Sequence, residues 1–239
     1  MCAYDGTHFD GWQSQTGGQA VQDVIERRLS QIFNAGIRIH GSGRTDAGVH
    51  AHEQVFHFDA EWRHGAEKLL AAIRSMLSPA IQIKSVRPVP SGFHARFSVK
   101  RKRYIYHLYL GDADPFMRPF CWAVTKPIDI SRMKAASLVL RGSHDFRAFT
   151  ALNGPEREDT VRSLQRLDII QRGCRVQIIA EANGFLYKMV RSLVGTLVAA
   201  GEGRLSVNDV GSILAGKKRV PAVQTAPPQG LFLAKVFYR

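Results

Sequence analysis

Cysteine is scarce in this chain, and no apolar run is long. The three cysteines, Cys2, Cys121 and Cys174, are far apart and odd in number. That argues against a disulfide framework or a Cys-rich metal site and makes a reducing cytoplasm the expected setting. No segment reaches the roughly 18 consecutive apolar residues that a membrane helix needs. The longest candidate, residues 185–200, is interrupted by Lys188, Arg191 and Ser192. The opening Met1-Cys2-Ala3-Tyr4-Asp5-Gly6 lacks the basic-then-apolar order of a secretory signal. Negative charge is also in deficit: 20 Asp and Glu face 33 Lys and Arg, a formal net charge of +13 over 239 residues. Such an imbalance suits a polyanionic partner, because each neutralised phosphate releases condensed counterion. A solubilising surface is the plainer reading, and charge alone separates neither RNA from DNA nor an enzyme from a binding module.

What is present is an alternation of helical and extended patterns, with 45% hydrophobic residues to build a core. Val21, Val24, Ile25, Leu29, Ile32 and Phe33 recur at helical spacing, and Gly36 follows as a stop. Residues 54–59 and 103–110 read as strands, the second with Tyr104, Tyr106 and Leu108 on one face. Further helices are expected over 66–77, from about Ser131, over 185–198 as a strongly amphipathic stripe, and over 207–214. Further strands are expected near 163–170, 175–181 and 231–238. Mixed in this way, the elements imply layered α/β or α+β packing with helices covering sheet faces. The Pro- and Gly-containing, basic segment 86–102 marks the junction between two halves, 1–100 and 101–239.

The most distinctive segment is Gly41-Ser42-Gly43-Arg44-Thr45-Asp46-Ala47-Gly48-Val49-His50-Ala51. Its glycines permit tight turning and close backbone approach, placing Arg44 and Asp46 on one short, shaped loop. A carboxylate held this way can act as nucleophile, base or metal ligand. A structural loop whose Arg and Asp merely neutralise each other fits equally well. The loop is neither a phosphate-cradling GxxxxGK[ST] nor a GxGxxG, because Gly48 comes two positions too late. His50, His52 and His57 lack metal-ligand spacing, and no GxSxG elbow occurs.

The RTDAGVHA core resembles the signature of the TruA family of tRNA pseudouridine synthases. The likeness extends along nearly the whole chain. It includes Tyr4-Asp5-Gly6-Thr7 with Gly11-Trp12-Gln13, then Phe93-His94-Ala95-Arg96-Phe97-Ser98 with Arg103-Tyr104-Ile105-Tyr106. It continues through Gly142-Ser143-His144-Asp145-Phe146, the run Lys188 to Gly195, and Thr225 to Leu233. The resemblance implies two halves whose antiparallel sheets join into one long sheet flanked by helices, with a catalytic cleft between them. It implies isomerisation of uridine to pseudouridine on the 3′ side of the tRNA anticodon stem-loop, by a homodimer that grips the tRNA. No metal or other cofactor is implied, since no electrons or groups are gained or lost.

Residue roles follow by position in the motifs. Asp46 falls on the family's catalytic aspartate, which attacks the sugar or the uracil ring. Tyr104 falls on the tyrosine that stacks against the target uracil. Arg191 falls on the basic residue that pairs with the aspartate, where a buried guanidinium would keep the carboxylate ionised and oriented. Arg44 resembles the arginine that fills the space left by a flipped nucleotide. Lys100 to Arg103 and Lys217 to Arg219 are candidate RNA-facing patches, or equally solvated faces. A binding-only RNA protein, or a relative acting at another RNA site, are the competing readings. Two departures stand out. The chain begins almost at the Tyr-Asp-Gly motif, so a shortened first strand at a sheet edge is expected. Residues 73–79, Ile-Arg-Ser-Met-Leu-Ser-Pro, replace the usual Asn and Leu-Pro pair.

Overall fold

The computed structural model describes residues 1–151 and 159–239. In chain order its elements are β1 (Cys2–Tyr4), α1 (Val21–Phe33), β2 (His40–Gly41), β3 (His50–Gln54), β4 (Phe56–His57), α2 (Ala66–Arg74), β5 (Ile81–Ile83) and β6 (Arg101–Leu110). They continue with β7 (Trp122–Val124), α3 (Ile130–Leu140), β8 (Gly142–Asp145), β9 (Val161–Arg172), β10 (Arg175–Ala182), α4 (Met189–Gly201), α5 (Val207–Gly216) and β11 (Leu231–Phe237). The chain forms two compact units, Met1–Lys100 with Phe232–Arg239, and Arg101–Leu231. The last eight residues, expected in the second half, thus group with the first unit. No helix among the described residues is long and apolar enough to cross a membrane.

In the first unit, β1 is an inner strand and not an edge. It pairs antiparallel with β5, Tyr4 opposite Ile81, and with β3, Tyr4 opposite Ala51. Beyond β3 lies β11 in parallel, with Phe232 opposite His50. The expected strand over 54–59 is instead the end of β3 and a separate β4, which pairs with β2. Helix α1 buries Val21, Ile25 and Leu29 completely, and the Asp23 carboxylate accepts from the Ala20 N–H at its start. Helix α2 stops at Arg74, short of the expected 77. Ser75 is extended there, and Met76 takes a left-handed φ of 59° just before Ser78-Pro79. Arg28 fastens the two helices by donating to the Ala72 carbonyl (2.6 Å) and to Ser75 Oγ (2.8 Å).

In the second unit, β6, β10, β9 and β8 are antiparallel neighbours, and short β7 lies parallel to β6. Each unit's sheet is therefore mixed, where purely antiparallel sheets were expected. The parallel partners arrive over long connections, a crossover through residues 111–121 for β7 and the whole second unit for β11. The alternation in β6 holds as read, with Tyr104, Tyr106 and Leu108 buried. Helix α3 begins at an Asp129 cap, whose carboxylate accepts from the N–H groups of Ser131 and Arg132. It packs against α4, α5 and β9.

Helix α4 departs most from expectation. It begins at Met189, not at Phe185, because Lys188 adopts a left-handed φ of 56°. Nor is it amphipathic: every residue except Arg191 is buried. Gly195 lets the helix lie directly on the 224–226 backbone, where a Cβ would stand 2.2 Å from the Gln224 carbonyl oxygen.

Candidate active site

The loop between β2 and β3 carries Arg44 and Asp46, and its backbone is pinned along its length. The N–H of Ser42 donates to the Val55 carbonyl (2.7 Å), and Ser42 Oγ donates to Gln54 Oε1 (2.6 Å). Gln54 Nε2 returns a bond to the Gly43 carbonyl (2.9 Å). The Thr45 carbonyl accepts from the Trp12 N–H (3.1 Å), and the Thr45 hydroxyl meets the Tyr4 hydroxyl at 2.8 Å. Past the aspartate, the Val49 N–H donates to the Asp46 carbonyl (3.1 Å). Buried Gln54 and Thr45 thus fix the chain leading into Asp46, the Val49 bond closes the turn after it, and Asp46 itself is half-buried.

Three glycines outside the loop make this possible. At Gly11 (φ +85°) a Cβ would lie 2.5 Å from the Thr45 carbonyl oxygen and 3.0 Å from the Asp46 carbonyl carbon. At Gly6 it would lie 2.1 Å from the Val49 carbonyl oxygen. Gly41 rests on the indole of Trp12, which is buried between the rings of Tyr4 and Phe56. The Tyr4-Asp5-Gly6-Thr7 and Gly11-Trp12-Gln13 segments are therefore the floor on which the aspartate loop lies backbone to backbone. Nothing in the local sequence of these motifs marks them as part of the site, because their role lies in contacts with a segment about 35 residues away.

Arg44 is exposed. The histidines play structural parts. His50 is buried, accepts from the Gly6 N–H at Nδ1 (3.0 Å) and stacks on Phe232 at 4.5 Å; His52 stacks on the same ring at 5.0 Å. Because Nδ1 of His50 accepts there, its 3.1 Å approach to Asp5 Oδ1 is not a simple ion pair. His57 sits against His40 (5.1 Å) and His94 (4.6 Å). Among the described residues no three His, Cys, Asp or Glu side chains are grouped to hold a metal ion.

The second unit positions Tyr104 and Arg191. Tyr104 is buried on β6, opposite Ala180 of β10, and the Phe185 ring meets it edge-on at 5.1 Å. Phe185 lies before α4 and not on the helix stripe expected over 185–198. The Asn183-Gly184 pair just before it was the available signal for a turn. Arg191, the one half-exposed position of α4, donates through Nε to the Ala226 carbonyl (2.7 Å), while the Ala226 N–H donates back to the Arg191 carbonyl (3.0 Å). The next carbonyl, of Pro227, accepts from the Tyr106 hydroxyl at 2.8 Å. Gly230 lies on the Tyr106 ring, where a Cβ would come within 2.7 Å. Residues 224–230 thus form a strap that fixes the plane of the Arg191 guanidinium, and Tyr106 anchors that strap. Burial pushes the Tyr106 hydroxyl's pKa far up, so it remains a donor.

The candidate basic patches resolve unevenly. Arg101 and Arg103 both pair with Glu181, at 3.0 and 2.7 Å, and that carboxylate is buried on β10. Arg219 is a staple. It donates to the carbonyls of Thr150 and Val223 and to the hydroxyls of Ser192 and Thr225, and burial lowers its pKa. Lys100, Lys217 and Lys218 are exposed.

Comparison with known proteins identifies the family. A family model described as tRNA pseudouridine synthase matches residues 1–98 and 136–239, which include Arg44, Asp46 and Arg191 but not Tyr104. The chain is 42% identical over 236 residues to tRNA pseudouridine synthase A of Thermoanaerobacter sp. (strain X514), covering 98% of this chain and 96% of that protein. It is 40% identical to tRNA pseudouridine synthase A 1 of Protochlamydia amoebophila, covering 99% and 94%. The corresponding Listeria monocytogenes serotype 4a protein is 42% identical, covering 100% and 97%. The chain belongs to the tRNA pseudouridine synthase family.

Proposed function

We propose that this chain isomerises uridine to pseudouridine in tRNA, with Asp46 as the nucleophile. The observation that carries the reading is the backbone-pinned loop, which holds an aspartate at a defined place in a member of this family. Ionised, the carboxylate attacks the target nucleotide at the sugar or the ring, and it leaves again when the product forms. The bond from C1′ to N1 breaks, the base turns, and a bond from C1′ to C5 forms. The C5 hydrogen departs as a proton and N1 gains one, so atoms and electrons balance without a co-reactant.

Tyr104, with the Phe185 ring edge-on against it, stacks the detached uracil. Arg191, oriented by the strap, takes the place of the basic residue that keeps the family's catalytic aspartate ionised. Arg44, exposed on the Asp46 loop, fills the space of the extruded nucleotide. The targets are uridines on the 3′ side of the anticodon stem-loop, and the working form is a cytoplasmic homodimer. Support for these finer points is the match of residues to the family's motifs.

The test is tritium release from tRNA labelled at uridine C5. Wild-type protein is expected to release it, while Asp46→Asn slows release at least about 10³-fold and leaves tRNA affinity within a few fold. Binding without release by wild-type protein, across several tRNAs, would favour the binding-only reading.

A further inference from the structure

Phe97 is 77% exposed, yet it stands on one of the most tightly bonded turns of the first unit. The His94 N–H donates to Ser98 Oγ (3.0 Å), and the Ser98 N–H donates to the His94 carbonyl (2.9 Å). Nδ1 of His94 accepts from the N–H groups of Arg96 (3.1 Å) and Phe97 (3.3 Å). Below, fully buried Ala95 bolts the turn to the unit. Its N–H donates to Nδ1 of His57 (3.2 Å), and its carbonyl accepts from the Tyr238 hydroxyl (2.7 Å). The phenyl ring is thus presented rigidly to solvent. The His94 ring lies 4.3 Å from one side of it, and the Arg96 guanidinium lies 5.8 Å from its centroid. Met76 and Phe116 are exposed as well.

A fixed aromatic face beside a cation, on a protein with a net charge of +13, has the chemistry of a base-stacking platform. Its position adds to this. His94 also contacts His40 at 5.7 Å, and His40 is the strand residue from which the chain runs into the Asp46 loop. We infer that the 94–98 turn is an RNA-contacting surface, on which Phe97 stacks an unpaired base of the tRNA while Arg96 meets the adjacent phosphate. This rests on the reading of tRNA as the substrate. The platform adds a nucleotide subsite to the first unit, apart from the uracil-stacking role proposed for Tyr104.

The experiment measures equilibrium binding of unmodified tRNA to full-length wild-type protein, Phe97→Leu, Phe97→Trp and Arg96→Ala over a salt series, with light-scattering mass at each step. Phe97→Leu, which keeps an apolar side chain but no π-face, should bind roughly 5- to 100-fold more weakly at an unchanged salt slope. Phe97→Trp should bind as wild type or better, and Arg96→Ala should lower the slope by about one. Phe97→Leu affinity within twofold of wild type would overturn the platform. So would a change in mass with equal affinity per assembled protein, since the ring would then face a second copy of the chain. Tritium release by the wild type is scored separately: release together with an indifferent Phe97→Leu sinks the platform alone, whereas binding with no release from any tRNA sinks the catalytic reading and leaves the platform standing or falling on affinity.

Discussion

Gly11 carries more of the active-site geometry than its size suggests. Its φ of +85° and the 2.5 Å gap that a Cβ would leave to the Thr45 carbonyl combine strain with a backbone collision. Gly18 shares the positive φ (+65°) but has open space around it. Gly11→Ala is therefore expected to lower stability by about 2 kcal/mol or more and to slow single-turnover release. Gly18→Ala should lose about 1 kcal/mol with turnover intact. Denaturant midpoints and single-turnover rates on the two variants check the contrast. At this scale the sequence was informative about chemistry and silent about support. Arg44, Asp46, Tyr104 and Arg191 could be named from motif positions, because reacting groups are few and distinctive. That Gly6 and Gly11 are the floor beneath Asp46, or that Tyr106 anchors the strap holding Arg191, depends on contacts between segments far apart in the chain. No local pattern encodes such contacts.

Between elements, three histidines join β2, β4 and the 94–98 turn. Burial is the main cause that lowers the His57 pKa from the ordinary 6.5, with His94 and His40 adding to it and Asp59 opposing. The neutral ring is thus the form the fold prefers, and Nδ1 must stay unprotonated to accept from Ala95. The unfolded chain then binds more protons below about pH 6.5, so stability is fully present above that value and falls as pH drops through it. Urea titrations at pH 7.5 and 5.5 should show a lower midpoint in acid, with the difference reduced in His57→Asn, whose amide oxygen can still accept. Periodicity located α1, β6 and β9 well, because each has a buried face, and β10 showed as a short apolar run although both faces of its second half are buried. It misjudged α4, whose burial on all sides leaves a hydrophobic run without a true polar face, and whose start is set by one left-handed residue. It also passed over β1 and β5, which are too short for alternation to show.

For the molecule as a whole, the excess of positive charge acts at long range. Two guanidinium groups are engaged by Glu181 and one is stapled inside the second unit, so the exposed lysines are the better candidates for phosphate contact. Replacing Lys217 and Lys218 together by alanine is expected to weaken tRNA binding at low salt, for all tRNAs alike. The dependence of log affinity on log salt should fall by up to about two, read by filter binding across a salt series. An unchanged slope would assign those lysines to a solvated face.

The placement of β11 has a consequence for how the protein is made. The strand that lies along β3, and whose Phe232 covers His50 and His52, is translated only after every residue of the second unit. On the ribosome the aspartate-bearing unit must therefore wait, its sheet lacking one neighbour, while the intervening unit emerges and is free to fold first. A nonsense codon or proteolytic nick near residue 230 would damage the housing of Asp46, although it lies far from that residue in sequence.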